Sequence, residues 1–339
     1  MPVSRRHRTT SAKNGAAALS VPVARPSPDP AAKPIAPQVA RLASLIRAHC
    51  PYDGRFALGV PDTHVVRVSR PTAEPVYSAQ RPVLCIVAQG AKRFILGSEV
   101  YIYDASTMLV ISVDLPAAAQ VMQASPAEPY LGLIIGLDPR RIADLMLRVY
   151  PQGLPRNTPA ERAMFVGPLD PHVVDATIRL MELGAHPNDV TLLAPLVMDE
   201  ILIRLLRSPL GLRLAQIGQT ESTTHKVATA IAWLRANFAQ PMRVEELAAL
   251  AHMSVSAFHQ YFRAVTSMTP LQYQKALRLQ EARRLMLSSM LDAAGAGRQV
   301  GYLSASQFGR EYARFFGQTP ARDVARLMEQ GPTEAVPAH

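Results

Sequence analysis

Two stretches of this chain, fifty residues apart, carry one pattern, and any fold proposed for it must build that pattern twice. His252 to Pro270 reads HMSVSAFHQYFRAVTSMTP, and Tyr302 to Pro320 reads YLSASQFGREYARFFGQTP. Laid over each other without a gap, they match at Ser254 with Ser304, Ser256 with Ser306, Phe258 with Phe308, Phe262 with Tyr312, Thr269 with Thr319 and Pro270 with Pro320. Self-similarity of this kind marks a repeated supersecondary unit. In each copy a serine stands where a helix needs its N-cap, and aromatic residues follow at helical spacing as a stripe to be buried. Ahead of the first copy, Val244, Leu247, Ala248, Leu250 and Ala251 spell a short helix, with Glu245 and Glu246 in the turn where the helix dipole favours acids. A tight turn is expected at Ala251 to Met253. The second copy runs the same way from Asp292, with Gly301 in its turn suited to a left-handed backbone. Each copy therefore predicts a helix-turn-helix.

A second helix whose apolar stripe is packed leaves a polar face free, and such a face fits a DNA major groove. In the first copy that face is Val255, Ser256, His259, Gln260 and Arg263; in the second it is Ala305, Ser306, Gln307, Arg310 and Arg314. Gln260 suits adenine and Arg310 suits guanine as bidentate partners. Singly, each of these residues reads equally as a solvated position; their matched placement favours base reading. Between the copies, Leu271 to Leu287 (LQYQKALRLQEARRLML) predicts one long helix holding two readers apart, and successive major grooves lie about 34 Å apart. Lys275, Arg278, Arg283 and Arg284 on this helix are expected to touch phosphates.

Charge is distributed to match. Residues 1–36 hold six Lys or Arg against one acid, residues 37–224 hold 17 against 17, and residues 225–329 hold 13 against seven. A neutral module joined to a basic one fits a sensor joined to a polyanion binder, although a solvated basic surface gives the same balance. Residues 1–36, rich in Pro, Ala, Ser and Arg, predict a disordered basic tail. After a helix at Val39 to His49, short apolar runs broken by Gly, Pro, Asp and Ser predict strands: HVVRVSR, VLCIVAQG, KRFILGSEVYIY with a hairpin turn at Gly97-Ser98, TMLVISVDL, AAAQVMQAS and YLGLIIGLD. This spacing predicts a small all-β barrel or sandwich. From Asp138, an N-cap with Pro139 at N1, the period becomes helical, with further helices at Pro171 to Leu183 and Thr191 to Arg207. The last is apolar on most of its surface, which suits a core or a dimer seam. Ser208 to Thr223 is expected as a connector.

The repeat region, VEELAALAHMSVSAFHQYFRAVTSMTPLQYQKALRLQEARRLM together with VGYLSASQFGREYARFFGQTP, resembles the AraC/XylS family of transcription regulators over roughly Lys226 to Leu327. The resemblance implies two helix-turn-helix subdomains bridged by one long helix. Gly295 and Gly297 depart from the pattern, because each glycine inside a helix costs about 1 kcal/mol relative to alanine. The stretch VLCIVAQG to RRIADLM is similar to the sensor domain of one subgroup of that family, which implies a cupin-like β-barrel with flanking helices that binds a small effector and dimerises. The expected fold is thus α+β: residues 37–215 as the barrel domain, and 222–330 as an all-α domain of two helix-turn-helix subdomains joined by a long helix.

The function expected is a regulator of transcription that binds promoter DNA as a homodimer, responds to a small-molecule effector and meets RNA polymerase. Alternatives are a barrel that only dimerises, a scaffold whose helix-turn-helix units contact protein, or a cupin-type enzyme. The last needs clustered histidines with a carboxylate, and no histidine occurs between Val65 and Pro171. No phosphate loop, nucleophile elbow or Cys-His pairing is evident, so no catalysis, cofactor or metal is expected. Cys50 and Cys85 read as small buried residues, and with no secretory or membrane signal the expected location is the cytoplasm, away from any membrane. Arg67, Tyr77, Arg93, Tyr101 and Tyr103 are the polar candidates among the strands for meeting a ligand, each of them equally a packing or surface residue.

Overall fold

The computed structural model describes residues 35–154, 162–219 and 222–330, so the expected tail at 1–36 lies almost wholly outside the described residues. Helix α1 (Ala36–His49) buries Val39, Leu42, Ala43 and Ile46 on one face. The strands follow as β1 (Gly54–Ala57), β2 (Thr63–Val68), β3 (Val76–Gln80), β4 (Val83–Gln89), β5 (Ala91–Leu96), β6 (Glu99–Asp104), β7 (Thr107–Ile111), β8 (Leu115–Gln123) and β9 (Tyr130–Gly136). Then come α2 (Pro139–Val149), β10 (Met164–Pro168), α3 (Pro171–Leu183), α4 (Pro187–Leu206) and α5 (Gly211–Gly218).

The strands form two antiparallel sheets, one ordered β1-β2-β9-β4-β7-β10 and the other β3-β8-β5-β6. Side chains alternate between faces along each strand. In β4, Leu84 and Ile86 pack outward against α1, α3 and α4, whereas Cys85 and Val87 point inward. The inward set meets Phe94, Leu96, Tyr103, Ala117 and Val121 of the second sheet, which makes the barrel core. The β5–β6 hairpin turns where the sequence places it: Leu96 pairs with Glu99, and Gly97 takes φ 60°, as a two-residue turn requires.

Three strands escape the sequence pattern. β1, β3 and β10 are short, and their burial does not alternate cleanly. β10 completes the six-stranded sheet by pairing with β7, although it lies among helices in the chain. The expected connector at Ser208 to Thr223 is instead mostly helix α5, which buries Leu214, Ala215 and Ile217.

The C-terminal helices are α6 (Thr223–Asn237), α7 (Val244–Leu250), α8 (Val255–Thr266), α9 (Pro270–Ser288), α10 (Ala293–Gln299), α11 (Ala305–Phe316) and α12 (Pro320–Gln330). Helix α9 starts with a capping box between Thr269 and Gln272 and with Pro270 in its first turn. At 1.5 Å per residue it is a rod about 28 Å long. Its first half, through Tyr273 and Leu277, shares a core with α6, α7 and α8. Its second half, through Leu279, Ala282, Leu285 and Met286, shares another with α10 and α11.

Candidate nucleic-acid interface

Ser254 caps α8 by accepting from the Ala257 amide, and Ser304 caps α11 by accepting from the Gln307 amide, each at 3.3 Å. Both helices end in a left-handed residue, Ser267 at φ 60° and Gly317 at φ 78°. From cap to end, the copies hold the fifty-residue register expected from the sequence. Before the caps they do not. Arg243 holds the N-cap position of α7 without a side-chain bond, and Asp292 caps α10 forty-nine residues later. The turn bonds agree: the Met253 amide donates to the Ala248 carbonyl, and the Tyr302 amide donates to that of Gly297. His252, at φ 52°, is thus the partner of Gly301, at φ 89°, and not of Tyr302. The gapless match stops at the serines, and the second unit holds one more residue before its cap, with Leu303 fully exposed there at 102%.

Inside each unit the aromatic stripe is buried. Phe258 and Phe262 lie 5.3 Å apart, and Phe262 meets Tyr273 of the rod edge-on at 5.5 Å. Phe308 sits between Tyr302 and Tyr312 at 5.3 and 5.5 Å. The glycines of α10 follow from this packing. A Cβ on Gly297 would lie 3.0 Å from the Phe308 ring, so the bare backbone is what admits the ring.

The face opposite is open. Val255, Ser256, His259, Gln260, Arg263, Ser306, Gln307, Arg310 and Arg314 are all exposed. Gln307 donates to Glu311 at 3.3 Å, and the Ser306 hydroxyl lies 2.9 Å from that of Ser304. His259, Gln260, Arg263, Arg310 and Arg314 have no side-chain bond among the described residues.

The four cations expected to reach phosphates from the rod have other partners. Arg278 donates to the carbonyls of Phe238, Ala239 and Gln240 after α6 and to that of Gly301 in the second turn. It joins the two units rather than facing outward, because the rod's middle lies between them. Arg283 is buried against Asp323 at 2.7 Å, Lys275 pairs with Glu311 at 2.8 Å, and Arg284 pairs with Glu281 at 2.7 Å. Exposed cations of the units that sequence reading passed over are Arg243, Arg298 and Arg322. The signal available for Arg298 was its place at the end of a first helix.

The barrel grips both units from behind. At the first, Glu99 beside the hairpin turn accepts from Ser267 at 2.7 Å and pairs with Arg162 at 2.5 Å. Arg162 donates to the Ala264 carbonyl at 3.1 Å, a cation at the negative end of α8. Asp114 pairs with Arg235 of α6, and its carbonyl accepts from the Tyr273 hydroxyl at 2.6 Å. At the second, Tyr77 of β3 packs on Phe315 and Phe316 at 5.0 and 5.1 Å, and Glu74 pairs with Arg326 at 2.8 Å.

Of the five polar barrel residues considered, only Tyr103 is buried in the core between the sheets. Arg67 borders a cavity, but its guanidinium donates to the Cys50 carbonyl and pairs with Asp53. Arg93 donates to Gln120, and Tyr101 donates to Glu99. Besides Arg67, the polar side chains that line the barrel cavity are Arg55, Thr72, Ser78, Gln80 and Lys92. Strand parity was the signal for Lys92, which shares a face with Phe94 and Leu96. Burial pushes both thiols, Cys50 and Cys85, up to about 11, so both are protonated near neutral pH. Among the described residues no group of three or more His, Cys, Asp or Glu could hold a metal ion, and no helix is long and apolar enough to cross a membrane.

Comparison with known proteins follows the same division. A profile for the N-terminus of AraC-type transcriptional regulators matches residues 59–213, and a helix-turn-helix domain profile matches residues 247–326. The chain is 39% identical over 89 residues to the RCS-specific HTH-type transcriptional activator RclR of Escherichia coli K12, covering 26% of this chain and 31% of that protein. It is 26% identical over 132 residues to the HTH-type transcriptional regulator ArgR of Pseudomonas aeruginosa, covering 39% and 40%. The matches span between 31% and 40% of these relatives' own lengths. The fold is shared with ToxT of Vibrio cholerae O395, at a TM-score of 0.51 and 12% identity over 78% of this chain and 98% of that one.

Proposed function

This chain belongs to the AraC/XylS family of transcription regulators, and from that premise we propose that it is a sequence-specific regulator that reads promoter DNA with α8 and α11. The observation that carries the reading is the pair of serine-capped helices with aromatic stripes buried and polar faces free. Val255, Ser256, His259, Gln260 and Arg263 enter one major groove, and Ser306, Gln307, Arg310 and Arg314 enter the next. Gln260 and Arg310 stand at equivalent positions, so the two half-sites differ, one offering adenine and the other guanine. Arg243 and Arg298 supply phosphate contacts that position the readers.

Residues 37–215 form the effector and dimerisation domain, and residues 222–330 the DNA-binding domain. The protein acts in the cytoplasm as a homodimer, contacts RNA polymerase and catalyses no reaction. The dimer face is the N-terminal half of α4, where Leu192, Leu193 and Leu196 are exposed at 74%, 42% and 63%.

A genome-wide map of bound sites for the wild type and for Arg310→Ala and Gln260→Ala tests the reading. Each variant is expected to relax one base position in a different half of the motif, by about 1–3 kcal/mol. Motifs unchanged in both variants overturn the assignment of these helices as readers. Binding that does not weaken as salt rises instead favours contact with protein only.

A further inference from the structure

The barrel holds a cavity of about 110 Å³ whose lining includes Arg55, Lys92, Ser78 and Gln80 and no acidic residue. Neither Arg55 nor Lys92 has a carboxylate partner among the described residues, and the Arg55 Nε is buried without a hydrogen bond. The Lys92 ammonium lies 5.2 Å from the Phe94 ring centre and 5.7 Å from that of Tyr130, both rings buried. Unpaired charge withdrawn from water is costly, and proteins ordinarily pair it. Burial pushes Lys92 below its ordinary pKa; Cys85 opposes this, and the nearby charge of Arg55 adds to it. Two cations kept without a counter-ion inside a barrel are arranged for an anion from outside. The apolar part of the lining is Val66, Val76, Val121 and Ile134, with Val66 the cross-strand neighbour of Arg55 and Val121 that of Lys92.

We propose that this cavity is the effector site and that it takes a small monocarboxylate, its carboxylate held by Lys92 and Arg55 and its apolar part against Val76 and Ile134. The proposal rests on the reading of the N-terminal half as an effector domain and gives that effector a chemical class. An apolar cavity of about 150 Å³ holds benzene, so this one takes the carboxylate and first carbons of an acid, on the order of four or five heavy atoms, and the rest of a larger acid extends into the neighbouring cleft. The way in is a cleft of about 910 Å³ between the barrel, α4 and α6, which shares Arg55, Gln80 and Ile134 with the cavity. The site also bears on a reader. Val76 and Ser78 of β3 line the cavity, and Tyr77 between them packs on Phe315 and Phe316 at the end of α11.

Thermal shift and calorimetry on the full chain test this, with butyrate and benzoate set against butyramide and benzamide. The carboxylates are expected to bind and raise the Tm, and the neutral amides to do neither. Lys92→Met is expected to weaken benzoate at least tenfold, with Lys92→Arg restoring binding. Arg55→Met serves the same purpose should Lys92→Met not fold. Amides that bind as well as acids, acids that do not bind, or methionine variants that bind like wild type overturn the proposal. DNA binding by the wild type, measured in parallel without ligand, keeps the readings apart: its presence without carboxylate binding sinks only the anion site, and its absence beside carboxylate binding sinks the regulator.

Discussion

Arg278 sits half-buried at the middle of the rod and donates to four backbone carbonyls, three after α6 and one in the second turn. Hydrogen bonds to charged groups contribute about 1.5–3 kcal/mol each when buried, and partial exposure lowers this. Arg278→Met is therefore expected to lower unfolding stability by about 2 kcal/mol in urea titration. It should leave the slope of DNA affinity against salt unchanged, because no phosphate contact is lost. Asp323 shows the other use of a buried charge. Its own burial acts to raise its pKa, but bonds from Arg283, Tyr312 and Arg326 prevail and hold it below the ordinary value. A carboxylate depressed on folding stabilises the protein above its unfolded pKa of about 3.9, and that contribution is lost as pH falls through the folded value. Acid unfolding of Asp323→Asn, followed by circular dichroism, should consequently be less steep than that of wild type below about pH 4.

Among the elements, the two proposed readers, α8 and α11, are copies in backbone and not in chemistry. Arg310 replaces Gln260, and Gly309 replaces His259. Gly309 has open space where a Cβ would go and no left-handed φ, whereas Gly297 faces the Phe308 ring. Helix propensity favours alanine at both positions by about 1 kcal/mol. Gly309→Ala is expected to gain nearly that amount. Gly297→Ala should lose about 1 kcal/mol net, because overpacking a filled core costs about 1–3 kcal/mol. Chemical denaturation of the pair checks both signs in one experiment.

For the whole molecule, the barrel holds the C-terminal ends of α8 and α11, through Glu99 at one and Tyr77 at the other, and leaves their polar faces exposed. A change inside the barrel thus has a short mechanical path to each reader without covering either. The proposed dimer face lies elsewhere, on α4. The double variant Leu192→Glu, Leu196→Glu removes exposed apolar groups only, so its Tm should match wild type while light scattering reports a monomer. A dimer that persists at the same concentration places the seam elsewhere.

Sequence alone determined the elements whose signals are local. Serine caps, aromatic spacing and the Pro-start helices follow from hydrogen bonds and periodicity within a few residues, and so α8, α9 and α11 were legible, as were the exposed polar faces of α8 and α11. The Gly97-Ser98 hairpin was legible for the same reason. Tertiary structure decided what depends on partners distant in the chain. β10 is a strand because β7 offers it an edge, and α5 is a helix because it has a surface to bury against. Arg278 and Arg283 of the rod turn inward because backbone carbonyls and Asp323 wait there, whereas Arg284 stays exposed beside Glu281, and that Lys92 borders a cavity rather than filling a core was decided by the closed barrel. Local chemistry sets the conformation a segment prefers; which of its faces meets water is fixed only when the rest of the chain packs around it.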